Sequence, residues 1–337
     1  MTKEENREFV KKVEQLVQPE DVNAISFLGD ANKIFPLSVQ QAMVRQGNKK
    51  GGYMGFIVEP YCFFLAYEIT DEDRALQYLP PDYELVPIKL FEDEPERNLL
   101  IVGTFSARTS AFTGVRSEFY LIARNKKTAV PAWMIIGYET NTNSYDPGHG
   151  FTGYSIKDSL FTTTPYGELL VHLNSKEKGI GLSARAQIKD APFKPLGTKL
   201  WLDCNFHTDY ASELKGDEES IFSLVFDPVT MKEALYIAPE DVQVDCMNYF
   251  NDIIDISAPV TTLCFPYSQH YFIESLNPRR HSNTEELEET VQDFLKMEEL
   301  PTMKAEQIKK PLFRGILISM AVNTALIAGL IIALILK

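Results

Sequence analysis

The chain has 337 residues, enough for one large domain with appendages or for two smaller domains. Apolar residues make up 45% of it and charged residues 24%, the proportions of an ordinary folded protein, which excludes a largely disordered or collagen-like chain. With 33 Lys and Arg against 47 Asp and Glu, the formal net charge is -14, so the basic surface that holds nucleic-acid phosphates is missing. We therefore expect no nucleic-acid partner.

The N-terminal stretch is charged and predicts an amphipathic helix. Phe9, Val13 and Leu16 recur at helical spacing within residues 1–20, and no apolar run of the kind found in a signal peptide occurs there. We expect an N-terminal helical segment over residues 1–49 and no secretory leader.

The region from residue 50 to residue 275 has the pattern of a β domain. Short runs of β-branched and aromatic residues are bounded by Gly, Pro, Asn and Asp, and no helices alternate with them. This pattern favours an antiparallel sandwich or barrel over a doubly wound sheet. The clearest predicted strands are residues 61–67, 99–105, 118–123, 132–138, 168–173, 199–206, 220–226 and 261–265.

Two helices are predicted outside this strand pattern. A short one covers residues 71–79, with Thr70 as its cap. A longer acidic helix covers residues 285–299, with Ser282 or Thr284 as its cap, and its apolar residues share one face. We assign residues 276–314 to this acidic helix and a basic tether that follows it.

Residues 315–336 are 22 residues without a charge. As a helix they would be about 33 Å long, against a bilayer hydrocarbon core of about 30 Å, so they predict a transmembrane tail anchor that contacts a lipid bilayer. Lys309, Lys310 and Arg314 precede the span and only Lys337 follows it, which predicts a single-pass protein with most of its chain in the cytoplasm. Polar Asn323 near the middle of the span leaves self-association open.

The motifs that would indicate a cofactor or a metal do not occur in the required context. The cysteines at 62, 204, 246 and 264 form no C-x-x-C pair, so we expect buried, reduced thiols. Residues 148–153 match G-x-G-x-x-G, but no strand precedes them and no helix follows. Asp203, His207 and Asp209 would share one face of a strand, which we interpret as its solvated side. No cofactor and no metal is expected.

Four short motifs, taken in order, resemble those of the acetoacetate decarboxylase-like superfamily. They are a short helix that runs into a Leu-Pro-Pro turn, a Gly-x-x-x-Glu, a glycine-led stretch that ends in lysine, and the start of a strand. They lie at residues 70–85, 114–118, 148–157 and 166–171. The resemblance covers residues 50–270 and rests on the order and spacing of the motifs.

The resemblance implies a mainly β (α+β) fold, in which an antiparallel sheet closes into a barrel or cone around an interior cavity. It also implies that Glu118 is the glutamate of the enzymes' active site. Where the enzymes carry proline and two lysines, this chain has Ser155, Ile156 and Lys157. Ungapped spacing therefore puts Ile156 at the position of the lysine that forms an imine. His149 likewise stands in place of an arginine.

We therefore predict a tail-anchored, cytoplasm-facing, non-catalytic protein of this fold that binds a small apolar or acyl-type ligand in the barrel interior. The residues expected to contact the ligand are Tyr61, Phe63, Trp133, His149, Tyr154 and Ile156.

Two alternatives stay open. A shift of one residue in the match would make Lys157 the imine-forming nucleophile and Glu118 the acid/base of a lyase or decarboxylase that acts on keto acids. A lysine attacks carbonyls only when its surroundings keep the amine neutral, and the sequence alone does not show those surroundings. The other alternative is a membrane-tethered interaction scaffold that presents the acidic helix over residues 285–299.

Overall fold

The computed structural model describes residues 2–17, 53–109, 113–141, 144–146, 150–152, 154–211, 232–256, 259–274, 281, 283–300 and 305–335. Over these residues the chain is mainly β with few helices, so the predicted fold class is confirmed at that level. The predicted strand over residues 220–226 lies outside the described residues.

The chain has four described helices, and the two for which a cap was predicted begin at caps that differ by one position from the prediction. They are α1 (Lys3–Leu16), α2 (Glu72–Leu76), α3 (Thr284–Lys296) and α4 (Ala305–Ile335). The Asp71 side chain accepts the N–H of Arg74 at 3.0 Å and caps α2, because the Thr70 hydroxyl instead donates to a backbone carbonyl at 3.2 Å. Asn283 caps α3 by accepting the N–H of Glu286 at 3.0 Å, and Thr284 is the first helical residue.

The strands of the large sheet are mostly antiparallel and come from the whole length of the β region. They are β1 (Tyr53–Val58), β2 (Cys62–Glu68), β3 (Tyr83–Leu85), β4 (Leu99–Thr109), β5 (Thr113–Asn125), β6 (Pro131–Thr140), β12 (Phe193–Pro195), β13 (Thr208–Tyr210), β14 (Glu233–Tyr236), β16 (Thr261–Phe265) and β17 (Gln269–Glu274). The main path runs β12-β14-β16-β2-β4-β5-β6-β13, with β1 pairing to β17 and β4, and β3 pairing to β5. Only the β13–β6 pair is parallel among those described for this sheet.

A second, four-stranded antiparallel sheet packs against one face of the large sheet. The remaining strands are β7 (Ser144–Asp146), β8 (Gly150–Thr152), β9 (Asp158–Thr163), β10 (Glu168–Ser175), β11 (Ile180–Gln187) and β15 (Val242–Met247). The order of the second sheet is β15-β11-β10-β9, and β7 and β8 form a separate small hairpin.

The closed barrel is not confirmed. Closure requires a hydrogen-bonded ladder between the first and last strands. Within the described part of the chain, β12 and β13 end the main path of the large sheet without pairing to each other, and β9 and β15 end the second sheet. The antiparallel character is as expected, whereas closure of the sheet stays a prediction.

Both faces of the large sheet are buried, and they belong to different apolar clusters. One face, with Leu65, Val102 and Phe119, packs against Val171 and Leu182 of the second sheet. We call the space between the two sheets the interior. The opposite face, which we call the outer face, is covered by the connecting segments. Its cluster includes Phe64, Tyr120, Trp133, Trp201 and Phe265.

The predicted strand over residues 199–206 is wrong. Lys199–Asp203 forms a π-helical turn that continues into further turns. Leu200, Trp201 and Leu202 are consecutive and all buried, which a strand with one wet face does not allow and which a turn wedged between two clusters does. Asp203, His207 and Asp209 therefore do not share one strand face, because only Asp209 lies in a strand, β13.

A third cluster docks α1 and α3 on the edge of the large sheet. Phe9 of α1 stacks on Phe206 with ring centroids 5.6 Å apart and meets Phe294 of α3 edge-on at 5.7 Å. Phe294 in turn packs on Phe272 of β17 at 4.9 Å. The predicted apolar face of α3 is thus buried, and most of its acidic residues are exposed.

The C-terminal helix contains one segment that is long and apolar enough to cross a membrane. That segment is Arg314–Ile335, and none of it is buried against the rest of the described chain. The helix already begins at Ala305, before the predicted start of the span.

The cysteines match the prediction at three positions out of four. Cys62, Cys204 and Cys264 are buried free thiols, but Cys246 is an exposed one, because β15 turns that side chain away from the interior.

Candidate functional site

The structure separates Ile156 from Lys157 by burial. The Thr140 carbonyl at the end of β6 accepts the N–H groups of both Ser155 and Ile156, at 2.9 and 3.1 Å, and so fixes the segment against the sheet. The Ile156 side chain is 3% exposed and belongs to the interior cluster. Lys157 is exposed, and its Nζ lies 5.4 Å from the ring centroid of exposed Tyr154.

Glu118 lies on the outer face of the large sheet. Successive residues of a strand point to opposite faces, so Phe119 enters the interior while Glu118 and Tyr120 face the outer cluster. The Glu118 carboxylate accepts hydrogen bonds from the Arg116 guanidinium and from the Tyr120 hydroxyl. Glu118 and the Ile156 side chain are therefore on opposite sides of the sheet.

The ion pair of Arg116 and Glu118 is buried, and two partly buried tyrosines, Tyr138 and Tyr210, contact it. Arg116 donates to the Tyr210 hydroxyl at 2.6 Å and lies 3.9 Å from the centroid of the Tyr138 ring. Burial, followed by the adjacent Glu118 carboxylate, raises the pKa of Tyr120 well above its ordinary value, so this hydroxyl keeps its proton and donates. The arrangement is that of a buried ion pair whose charges are satisfied by protein groups.

The six predicted ligand contacts are not all in one place. Phe63 and Ile156 share the interior. Trp133 is buried on the outer face, where its ring lies 5.0 Å from the Tyr120 ring and 5.5 Å from the Trp201 ring. Tyr61 and Tyr154 are exposed. His149 lies outside the described residues.

A polar row, which was not predicted from the sequence, crosses the interior face of the large sheet. Thr104 of β4 is paired in register with Ser117 of β5, which is paired with Glu139 of β6. The same row continues to Phe63 of β2. Direct cross-strand partners point to the same face, so these three polar side chains line the interior together. They are at most 3% exposed, and the hydroxyls of Thr104 and Ser117 are 2.6 Å apart.

Glu139 carries the charge of this row and is balanced from the second sheet. Lys178, in the turn between β10 and β11, donates to both of its carboxylate oxygens, at 2.8 and 3.1 Å. The Glu139 side chain is almost fully buried, whereas that of Lys178 is about half exposed. The pair therefore joins the two sheets and runs from the interior to solvent. A buried carboxylate requires such a partner, because desolvation without one is costly.

Two buried tyrosine hydroxyls in the interior have no hydrogen-bond partner in the described part of the chain. They belong to Tyr67 and Tyr249, which are 0% and 8% exposed. The Tyr249 ring stacks on Phe119 with centroids 4.5 Å apart. Burial raises the pKa of both hydroxyls, and for Tyr249 the nearby Glu139 carboxylate adds to the rise. A buried hydroxyl without a partner costs about 1–3 kcal/mol, so an additional hydrogen-bonding group is expected there.

The alternation of inward-facing and outward-facing residues along β4 and β5 could have predicted the polar row. Leu100, Val102 and Thr104 continue one face of β4, and Ser117 continues the face of Phe119 on β5. The predicted strand over residues 118–123 began one position after Ser117, and the predicted strand over residues 132–138 ended one position before Glu139. Full strand lengths would have placed both polar residues on an inward face.

Comparison with known proteins gives likenesses of fold. No protein-family model and no curated protein matches the sequence. The acetoacetate decarboxylase of Legionella pneumophila is similar over 67% of this chain and 86% of its own, with 11% identity and a TM-score of 0.40. An enduracididine biosynthesis enzyme is similar over 68% and 88%, with 10% identity and a TM-score of 0.41. An acetoacetate decarboxylase-like enzyme from Sphingomonas wittichii is similar over 68% and 93%, with 9% identity and a TM-score of 0.39.

These likenesses agree with the resemblance read from the sequence. They concern the course of the chain alone.

Proposed function

We propose that this protein is a membrane-anchored, non-catalytic binding protein that holds a small apolar or acyl-type molecule in the interior between its two sheets. The observation that carries the proposal is the Tyr249 hydroxyl, which is buried beside the polar row with no partner in the described residues. A ligand with an apolar body would replace contacts among Leu65, Val102 and Val171, and its polar group would supply the missing hydrogen bond.

The absence of imine chemistry is supported by the positions of the lysines. An imine-forming lysine has to present a neutral amine to the bound carbonyl. Ile156 contributes an alkyl group to the interior, and the neighbouring Lys157 faces solvent. Lys178 reaches the interior but is held by both oxygens of Glu139. The lyase alternative would further need Glu118, whose carboxylate is engaged by Arg116 on the other side of the sheet.

Membrane anchoring is proposed for the exposed apolar segment Arg314–Ile335. Its 22 residues span about 33 Å as a helix, which matches a hydrocarbon core of about 30 Å. Exposed to water, so long an apolar surface would drive association, whereas a bilayer would cover it. Anchoring would keep the domain at a membrane surface, where apolar ligands are concentrated.

The binding role is tested on the full chain in lipid nanodiscs. Small molecules extracted from the purified protein are identified by mass spectrometry, for the native chain, for Tyr249→Phe and for the control Tyr166→Phe, whose ring is exposed. We expect one molecule per chain in the native protein and in Tyr166→Phe. Tyr249→Phe is expected to bind it about fivefold more weakly, the loss of one hydrogen bond worth about 1 kcal/mol.

A tightly packed interior without a ligand would give the opposite result. If the interior is simply packed core, Tyr249→Phe removes an unsatisfied hydroxyl and raises thermal stability, and no stoichiometric molecule is extracted from any of the three proteins.

A further inference from the structure

The charge and hydrogen-bonding groups of the interior restrict which molecules it can accept. The polar row offers the hydroxyls of Thr104 and Ser117 and the carboxylate of Glu139, and Tyr249 adds a hydroxyl within electrostatic reach of Glu139. Apart from the second tyrosine hydroxyl, that of Tyr67, most of the remaining described interior surface is apolar. Resting on the binding role proposed above, we infer that the interior selects neutral apolar molecules that carry a hydroxyl group and rejects carboxylates, keto acids included.

A ligand carboxylate would meet a negative charge without a cation to balance it. Among the described interior residues Lys178 is the one cation, and each Glu139 oxygen already accepts a hydrogen bond from its Nζ. The buried guanidinium of Arg116 lies on the outer face, paired with Glu118. Two carboxylates sharing a poorly solvated site repel each other strongly, so an anion would bind only by displacing Lys178 or by taking up a proton.

A hydroxyl group suits the available hydrogen-bonding groups better than a ketone, an ester or an ammonium group. Each carboxylate oxygen of Glu139 has a second lone pair that can accept an O–H, and the Tyr249 hydroxyl can donate to the same ligand oxygen. A ketone or ester oxygen only accepts, so it leaves that Glu139 lone pair unused. An ammonium group only donates, and it would compete with Lys178 for Glu139. Of these groups, only the alcohol can donate to Glu139 and accept from Tyr249 through a single oxygen atom.

The test uses three probes of one shape, cyclohexanol, cyclohexanecarboxylate and cyclohexylamine. Their binding to the full chain in lipid nanodiscs is measured by saturation-transfer NMR at neutral pH, with empty nanodiscs subtracted. We expect the dissociation constant of cyclohexanol to be at least tenfold lower than that of cyclohexanecarboxylate, with cyclohexylamine between them.

Two variants test whether Glu139 causes the preference for the alcohol over the carboxylate. Glu139→Gln removes the negative charge and is expected to reduce the difference between alcohol and carboxylate to less than threefold. Glu84→Gln, which removes an exposed carboxylate paired with Arg124, is expected to leave the tenfold difference in place. The order of the probes in the native protein needs no variant, so the test holds even if Glu139→Gln does not fold.

The outcomes separate this inference from the binding role. Carboxylate bound as tightly as alcohol by the native chain overturns the selectivity while the binding role stands. A tenfold preference that survives Glu139→Gln overturns the assignment to Glu139. Binding of none of the three probes overturns the inference, and an empty extraction in the earlier experiment would then remove the binding role as well.

Discussion

At the scale of single residues, adjacent positions on one strand or turn differ completely in environment. Ser117 lies in the interior and Glu118 on the outer face, and Ile156 is buried whereas Lys157 is in water. For Ser117 and Glu118 the physical cause is the two-residue period of the strand, which sends neighbouring side chains to opposite faces. For Ile156 the cause is the pair of backbone hydrogen bonds to Thr140, which holds this segment against the sheet. The effect of a substitution therefore depends on which member of each pair is changed.

Truncation of Ile156 should destabilise the protein, and truncation of its neighbour should not. Ile156→Ala leaves a cavity in the interior and is expected to cost about 2–4 kcal/mol of unfolding free energy. Lys157→Ala changes an exposed side chain and should stay within about 0.5 kcal/mol. Thermal unfolding of the two variants in nanodiscs makes the comparison. Equal stability of the two would mean that Ile156 is not packed in the core.

Glu118 should behave as a structural residue. Glu118→Gln leaves the buried Arg116 guanidinium without its counter-charge, for which we expect a loss of about 3–5 kcal/mol in stability. The matched change Glu84→Gln breaks an exposed ion pair and should cost less than about 1 kcal/mol. Denaturant unfolding of both variants tests this. A Glu118→Gln protein as stable as the native one would show that the pair contributes nothing to folding.

At the scale of secondary-structure elements, a chain of buried polar groups ties α3 to the β domain. His207 Nε2 and His281 Nδ1 are 2.9 Å apart, and His281 Nε2 lies 2.9 Å from the Thr290 hydroxyl of α3. All three side chains are buried. Because α3 precedes the apolar helix α4, these hydrogen bonds connect the helix next to the proposed anchor to the β domain.

Acid should weaken this docking. Burial, and then the neighbouring His281, lower the pKa of His207 well below the ordinary 6.5. The unfolded chain therefore binds a proton near pH 6.5 that the folded chain does not. The stability is fully present above that pH and is lost as the pH falls through it, by up to about 1.4 kcal/mol per pH unit for one histidine.

The measurement is the Tm of the full chain between pH 8 and pH 5. We expect a plateau above about pH 7 and a decline below about pH 6.5. Replacing His207 by Gln should flatten the decline, whereas replacing the half-buried His172 on β10 should leave it unchanged. A Tm profile of His207→Gln that runs parallel to that of the native chain would show that another group causes the acid sensitivity.

At the scale of the whole molecule, an acidic β domain is followed by an apolar helix with basic residues at its near end. The chain carries a net charge of -14, yet Lys309, Lys310 and Arg314 precede the apolar segment. Positive residues beside a span stay on the cytoplasmic side, so the domain should remain there.

Orientation is tested with glycosylation acceptors in ER-derived vesicles. An acceptor engineered into the exposed turn at residues 126–129 should stay unmodified, and one appended after Lys337 should be glycosylated. Changing the three basic residues to glutamate should lower the fraction in this orientation. Modification of the acceptor at residues 126–129 in the native chain would reverse the proposed topology.

The amino-acid sequence by itself determined the strand-rich region, the acidic helix with its apolar face, the apolar segment near the C-terminus and the alkyl side chain at position 156. Each of these follows from composition or periodicity within a short stretch, and such local patterns can be recognised without knowledge of the tertiary structure. The strand over residues 199–206 was wrong because a run of three apolar residues fits a buried turn as well as a strand.

Only the tertiary structure decided which side of the sheet carries the proposed site. Both faces of the large sheet are buried, so alternation in the sequence could not tell the interior from the outer face. The row of Thr104, Ser117 and Glu139 exists through strand register, and Lys178 reaches it from a separate sheet. These groups are far apart along the chain, and only pairing between strands brings them to one place.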